Sequence, residues 1–340
     1  MKAIKFFAIS AMAAAMITSC SSEDELSQSN YPSDNIVRVT AGVNNAKTRA
    51  EGQGVSAMDK DFSLTVVNKN TESTLPSKYT YIDKVFSKKS GDWACSETLL
   101  WQNDKTPVDI VAFAPAQTGK FSGVCDNAGN IKPITYSVAT DQSTLSDYND
   151  LLYYYTPGFV PGGTNLDKDG KLSIQFNHAF CMIDIVVTLG TEFNKPEVLD
   201  NSPIVKVTLG GTKIEANVDV LNAASVVTAS ETAAATDITT TKGTFDKAAN
   251  AEANAISHFS CIAIPQKVGA NTFKVSLMTA GKRYEWTSAD PVELKSGYRY
   301  TLNLSMGNDV VLLKGGSGSD NGGITATKWT EGTGGSLETE

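Results

Sequence analysis

Histidine is almost missing from this chain. The two that occur, His178 and His258, stand at the starts of strand-like runs, in FNHAF and SHFSC, and read as structural strand-edge residues. A Ser–His–Asp or Cys–His enzyme needs a base held beside its nucleophile. The carboxylates are scattered, with no pair that local pattern places in one cleft. The chain therefore reads as a non-enzyme. Cysteine is scarce as well, with five residues and no C-x-x-C pair, so no zinc site is expected. An excess of basic charge is absent: the formal net charge is −8, which argues against nucleic acid as a partner and suits a soluble exterior surface. Beyond the first residues no apolar run approaches a membrane span. Helical periodicity is rare too; Thr144 to Tyr155 is the one stretch that reads as a turn or short helix.

Two loops imitate functional motifs without completing them. NLDKDG, Asn165 to Gly170, has the oxygens and glycine of the first half of a calcium loop. The bidentate glutamate of the twelfth position falls at Phe176, which has no oxygen. The reading is a turn with linker character, and no metal or cofactor is expected. GGSGSDNGG, residues 315–323, lacks both the G-x-S-x-G order and the Gly-Lys-Ser/Thr ending, and reads as a flexible linker.

What is present begins at the N-terminus. Lys2 and Lys5 precede an apolar region from Phe6 to Ile17, the layout of a secretory signal. The region ends in ITSC, which resembles the lipobox of bacterial lipoproteins and implies cleavage before Cys20 and acylation of that cysteine. Membrane attachment would then run through the lipid on Cys20, since two acyl chains already anchor stably. The acidic run SSEDE follows, either a solvated tether or a mark for surface display. About 320 residues remain after the signal, a size that suits two domains. Cys95, Cys125, Cys181 and Cys261 would pass through an oxidising compartment, where two disulfides and free buried thiols are both open readings.

The rest of the chain is β almost throughout. Runs such as KYTYIDKVFSK, PVDIVAFAP, CMIDIVVTL, NTFKVSLMTA and YRYTLNLSM are rich in β-branched and aromatic residues and are punctuated by Gly, Pro, Asn and Asp. In CMIDIVVTL, Cys181, Ile183, Ile185 and Val187 share one face with Asp184 on the other. In NTFKVSLMTA, Phe273, Val275 and Leu277 alternate with Lys274 and Ser276. Many short strands with frequent turn signals mean sandwiches rather than βαβ units. The Pro/Gly-rich stretch 156–170 reads as a domain junction, and residues 221–257 as a long loop with one or two poor strands.

The leading strand poses a particular question. Along Ile36 to Val43, Val37, Val39, Ala41 and Val43 point one way, and Arg38, Thr40 and Gly42 the other. Immediately after it, NNAKTRAEGQG sets the Arg49–Ala50 bond among small and polar residues, open to a protease.

Taken in order, ITSC, IVRVTAG…TRA, LLWQNDKTPVDIVAFAPA, DLLYYYTP, KLSIQFNHAFCMIDIVV, CIAIPQ, YEWTS…VELKSGYRYTLNLSM and ITATKWTEG resemble the fimbrillin-like family, the subunits of type V fimbriae of Gram-negative gut and oral bacteria. The resemblance covers nearly the whole mature chain. It implies two tandem transthyretin-like β-sandwiches: a signal at 1–19, a polar tether at 20–35, an N-terminal sandwich at 36–170 with a removable 36–49, and a C-terminal sandwich at 171–340. It implies a lipoprotein precursor that passes through the outer membrane to an extracellular fimbria, and an arginine-specific protease that cuts between Arg49 and Ala50. The emptied groove would then receive a strand from another copy or another fimbrial subunit. The donor would come from the tail, where 309–313 and 324–329 are strand candidates, although both could instead fold back on the second domain. A host or bacterial surface receptor is a further implied partner. The alternative from another class is a surface-anchored adhesin or glycan-binding lipoprotein that is never cut.

Overall fold

A computed structural model describes residues 29–44, 55–57, 59–70, 78–144, 149–308, 311–313 and 324–328. The fold is all-β. Eight strands make the first sheet: β1 (Arg38–Asn44), β2 (Val55–Ala57), β3 (Phe62–Asn68), β4 (Tyr81–Lys89), β5 (Asp92–Cys95), β6 (Val108–Ala114), β8 (Leu152–Phe159) and β9 (Lys171–His178). Their spatial order is β2-β1-β9-β8-β6-β3-β4-β5. All neighbours are antiparallel except β1 and β9, which run parallel with Arg38 opposite Lys171 and Val43 opposite Phe176.

The sheet curls so that β1 and β9, toward one end, approach β5 and the segment after it at the other. Lys171 on β9 pairs with Asp92 on β5 at 3.0 Å, and Ile36 bridges to Leu100. The enclosed core is aromatic at its centre: Phe62 stacks on Phe86 at 5.5 Å and meets Trp93 and Phe176 edge-on. Strands β3 and β6 are buried at every position, and alternation explains why. Leu64, Val66, Ile110 and Ala112 enter this first core, whereas Val67, Val111 and Phe113 enter a second one. Strands covered on both faces carry nearly continuous apolar runs, and TVV and IVAFA are such runs.

The second core is continuous with the C-terminal half. Phe113 stacks on Phe121 at 4.7 Å, Phe121 on Tyr136 at 6.4 Å, and Tyr136 leans on Phe180 at 5.7 Å. Tyr136 lies on β7 (Ile134–Ser137), which joins β12 (Glu215–Val218) and β13 (Val227–Ala229) in a three-stranded sheet. The remainder is two facing sheets and a ribbon. One sheet holds β10 (Cys181–Leu189), β15 (Thr241–Asp246), β16 (Ile256–Ala263), β21 (Tyr298–Met306), β22 (Val311–Leu313) and β23 (Ile324–Lys328). The other holds β11 (Ile204–Gly210), β14 (Ile238–Thr239), β18 (Lys274–Thr279) and β19 (Arg283–Thr287), and β17 (Gln266–Val268) pairs with β20 (Val292–Leu294). The inward rows expected for β10 and β18 are buried: Cys181, Ile183, Ile185, Val187, Phe273, Val275 and Leu277. The outward row holds in β10 but not throughout β18, where Ser276 is buried too and its hydroxyl donates to Glu285. Asp184 faces outward, where Arg299 on β21 donates to it.

Two local readings are revised, and the tail takes one of the two courses left open for it. Within Thr144–Tyr155, residues 145–148 lie outside the described residues, Asn149 is in a 3-10 turn as expected, and Leu152–Tyr155 begin a strand. Of the stretch 156–170, residues 156–159 complete β8 and 160–170 join it to β9, its neighbour in the same sheet. A cut after residue 170 would therefore part β9 from β1 and β8, its hydrogen-bonded partners. Proline and glycine mark a turn here, and turn composition does not distinguish a hairpin from a domain junction. Finally, the tail candidates 309–313 and 324–329 fold back as β22 and β23, both along the same edge of β21; Asp309, Val310 and Trp329 lie outside the described residues.

Candidate functional site

The slot occupied by β1 is built from three walls. On one side β9 supplies six consecutive parallel partners, Lys171 to Phe176. On the other side the C-terminal end of β1 pairs with β2, Gly42 opposite Ala57 and Asn44 opposite Val55. The N-terminal end is held by the segment Leu99–Trp101. Val37 N–H donates to the Leu99 carbonyl at 2.9 Å, and Trp101 N–H donates to the Asn35 carbonyl at 2.8 Å. The wall residues Leu99 and Trp101 are buried on either side of half-exposed Leu100, the period-two signature of a strand.

The base of the slot is the first core. Val37, Val39 and Val43 are 5%, 3% and 4% exposed. Ala41 is half-buried and packs against the same cluster. Burying a valine is worth about 1.5–3 kcal/mol, so the three together contribute roughly 5–9 kcal/mol. A domain is stable by only about 5–15 kcal/mol in total. The strand is thus an integral part of the first core.

Contacts continue upstream of the strand. Asn30 N–H donates to the Gly163 carbonyl at 2.9 Å, and its side-chain amide donates to the Leu166 carbonyl at 3.0 Å. Gly170 has φ +72°, and a side chain there would meet the Asn30 carbonyl at 3.0 Å; glycine permits both the turn and this approach. Burial, with the Asp104 carboxylate next, pushes the Tyr31 hydroxyl up to about 12. Asp34 is held down to about 2, chiefly by hydrogen bonds from Arg38. That ion pair lies wholly within the segment 30–44, so it shapes the segment without tying it to its walls.

Cys20 and the Arg49–Ala50 bond lie outside the described residues. In the chain, residues 45–54 connect Asn44 of β1 to Val55 of β2, which are cross-strand partners. The wall Leu99–Trp101 and the parallel partner β9 are the parts of the site that the sequence does not announce. LLW is an unbroken apolar run, so the alternate burial of Leu99 and Trp101 is visible only in the fold.

Other candidate groups have structural duties. His178 Nδ1 lies 3.0 Å from an Asp150 carboxylate oxygen in a buried pair. His258 lies 2.8 Å from Asp246 across the β15–β16 pair. In the calcium-like loop, Asp167 accepts from the backbone N–H groups of Asp169 and Lys171 at 2.9 and 2.8 Å. This is the Asx-turn use of aspartate. Cys95, Cys125, Cys181 and Cys261 are free thiols, and burial pushes the Cys181 and Cys261 thiols far up.

Solved structures with the same fold include a candidate cell-adhesion protein of Bacteroides ovatus, at 14% identity and TM-score 0.59, covering 87% of this chain and 98% of that one. Another candidate cell-adhesion protein, of Bacteroides uniformis, aligns at 14% identity and TM-score 0.53 over 88% and 100% of the two chains. A fimbrial protein of Bacteroides vulgatus aligns at 15% identity and TM-score 0.52 over 87% and 99%. No curated protein matches the sequence. The fimbrillin-like family model matches residues 48–329, most of the length of the chain, and the protein belongs to the fimbrillin-like family.

Proposed function

We propose that this chain is a structural subunit of a cell-surface fimbria whose first strand is a removable plug. It is exported as a lipoprotein acylated at Cys20 and cut between Arg49 and Ala50 by an arginine-specific protease. Copies of itself or other fimbrial subunits then refill the slot by strand exchange. The observation that carries this reading is the burial of Val37, Val39 and Val43 in a strand that sequence connects to the rest of its core only through residues 45–54. Cutting that connection turns an intramolecular strand into a ligand. An incoming strand replaces it with main-chain hydrogen bonds along β9 and alternate side chains in the valine sites.

The tail is the donor in this reading. Of the residues of β23, Ile324 is half-buried and the other four are exposed. The strand is therefore held at the β21 edge by backbone pairing with little apolar burial. The sequence between β22 and β23 is rich in glycine and serine at residues 315–323.

N-terminal sequencing of surface-extracted protein tests the proposal. A start at Ala50 is expected. A start at acylated Cys20 would overturn it in favour of an uncut, lipid-anchored adhesin. Removing residues 307–340 is expected to leave a folded monomer that forms no polymer; filaments from that truncation would overturn the donor assignment.

A further inference from the structure

A groove of about 650 Å³ opens beside the start of β21. One wall is the segment running into β13, residues 223–229; the other comprises β17, β20 and the residues that follow β20, Lys295 and Ser296. Strand β13 is the outer strand of its sheet, and β17 and β20 form a ribbon of two, so the strands lining the groove each have an edge without a strand partner among the described residues. Such edges present backbone donors and acceptors to an extended chain.

The groove is cationic in a protein of net charge −8. Lys213, Lys267 and Lys295 line it against one carboxylate, Glu293. The Lys213 ammonium donates to the backbone carbonyls of Ser230 and Glu231 at 2.7 and 3.1 Å, so its charge meets no carboxylate there. Lys295 and Glu293 pair at 3.2 Å, but both side chains are more than half exposed, where such pairs count for little.

The register of β23 gives the groove an occupant. Antiparallel to β21, it places Lys328 opposite Tyr298. A chain continuing beyond Lys328 in that direction passes Gly297 and reaches Ser296 and Lys295 at the groove. The residues that follow, WTEGTGGSLETE, carry Glu331, Glu338 and Glu340 and no basic side chain. At about 3.3 Å per residue, Glu331 falls on the order of 10 Å beyond Lys328 and Glu338 on the order of 30 Å.

We propose that this groove is the docking site for the chain's own acidic tail, residues 329–340, taken up as an extended segment between the edge of β13 and the β17–β20 ribbon. The inference does not rest on cleavage at Arg49 and is tested on the uncut chain. Hydrogen exchange of the full-length protein at low salt is expected to show protection of residues 329–340 and of the backbone at 227–229 and 266–268. The K267E/K295E double variant alters two exposed side chains and leaves Lys213 in place. It should raise tail exchange about tenfold, the sum of a few weak ion pairs, without shifting the melting temperature. Adding E331K, E338K and E340K to that variant should restore protection, and high salt should remove it from the wild type. Unprotected tail amides in the wild type, or equal exchange in wild type and double variant, would overturn the proposal. Protection that rises with protein concentration would overturn it too, assigning the groove to the tail of a second copy.

Discussion

Strand β1 near one end of the chain and β23 near the other each join a larger sheet, and the two are held in opposite ways. Strand β1 has walls on both sides, and its valines Val39 and Val43, with Val37 just before it, lie in a core. Strand β23 pairs with β21 alone, and four of its five residues are exposed. The two strands differ in backbone pairing and still more in apolar burial, and the second difference governs their retention. Main-chain hydrogen bonds contribute little net stability because water competes for them, whereas apolar burial is gained only in the folded state. A strand of the first kind leaves a defect when it is withdrawn. A strand of the second kind leaves little behind.

One substitution applied to both strands gives the largest contrast. Val39→Asp buries a carboxylate with no partner and should cost about 4 kcal/mol or more in denaturant unfolding. Ala326→Asp, on an exposed position of β23, should stay within about 0.5 kcal/mol. Similar costs for the two would erase the distinction. Val39→Ala sharpens it without a charge: the lost methyl groups and the residual void should cost about 2 kcal/mol by the same measurement. Thiol labelling sharpens it further. Cys95 is half-exposed at the edge of the first core, whereas Cys181 and Cys261 are buried with their thiols pushed far up. The thiolate is the reactive form, so Cys95 should label in the native protein and the other two only on unfolding. The smallest effect concerns Asp34. Its folded pKa is depressed to about 2, below the usual value of about 3.9. Any stabilisation is therefore complete above about pH 4 and disappears as pH falls through about 2. An NMR titration should find that low midpoint, and Arg38→Gln should return it toward the ordinary carboxylate range.

Strand faces were legible in the sequence because alternation is local. The inward row of β1 and the cores of β10 and β18 follow from period two alone. Leu152–Tyr155 was misread because a run of leucine and tyrosines fits no single period, and its strand character comes from pairing with β6 and β9. The walls of the slot were not legible. Leu99 meets Val37, and Lys171 meets Arg38, across long stretches of chain, and no local pattern records a partner so far away. The boundary at residue 170 failed for a related reason: a turn rich in glycine and proline says that the chain reverses, not which sheet it rejoins.

The two-faced strands β3 and β6 have a mechanical consequence. Because neighbouring side chains on one backbone, Val66 and Val67 or Ala112 and Phe113, belong to different cores, the molecule has no slip plane between its halves. In a fimbria assembled as proposed, tension entering at the β1 slot would reach the sheet that carries the tail through these common strands and the aromatic stack from Phe113 to Phe180. A fibre made of such units would stretch at the joints between subunits before it stretched within one.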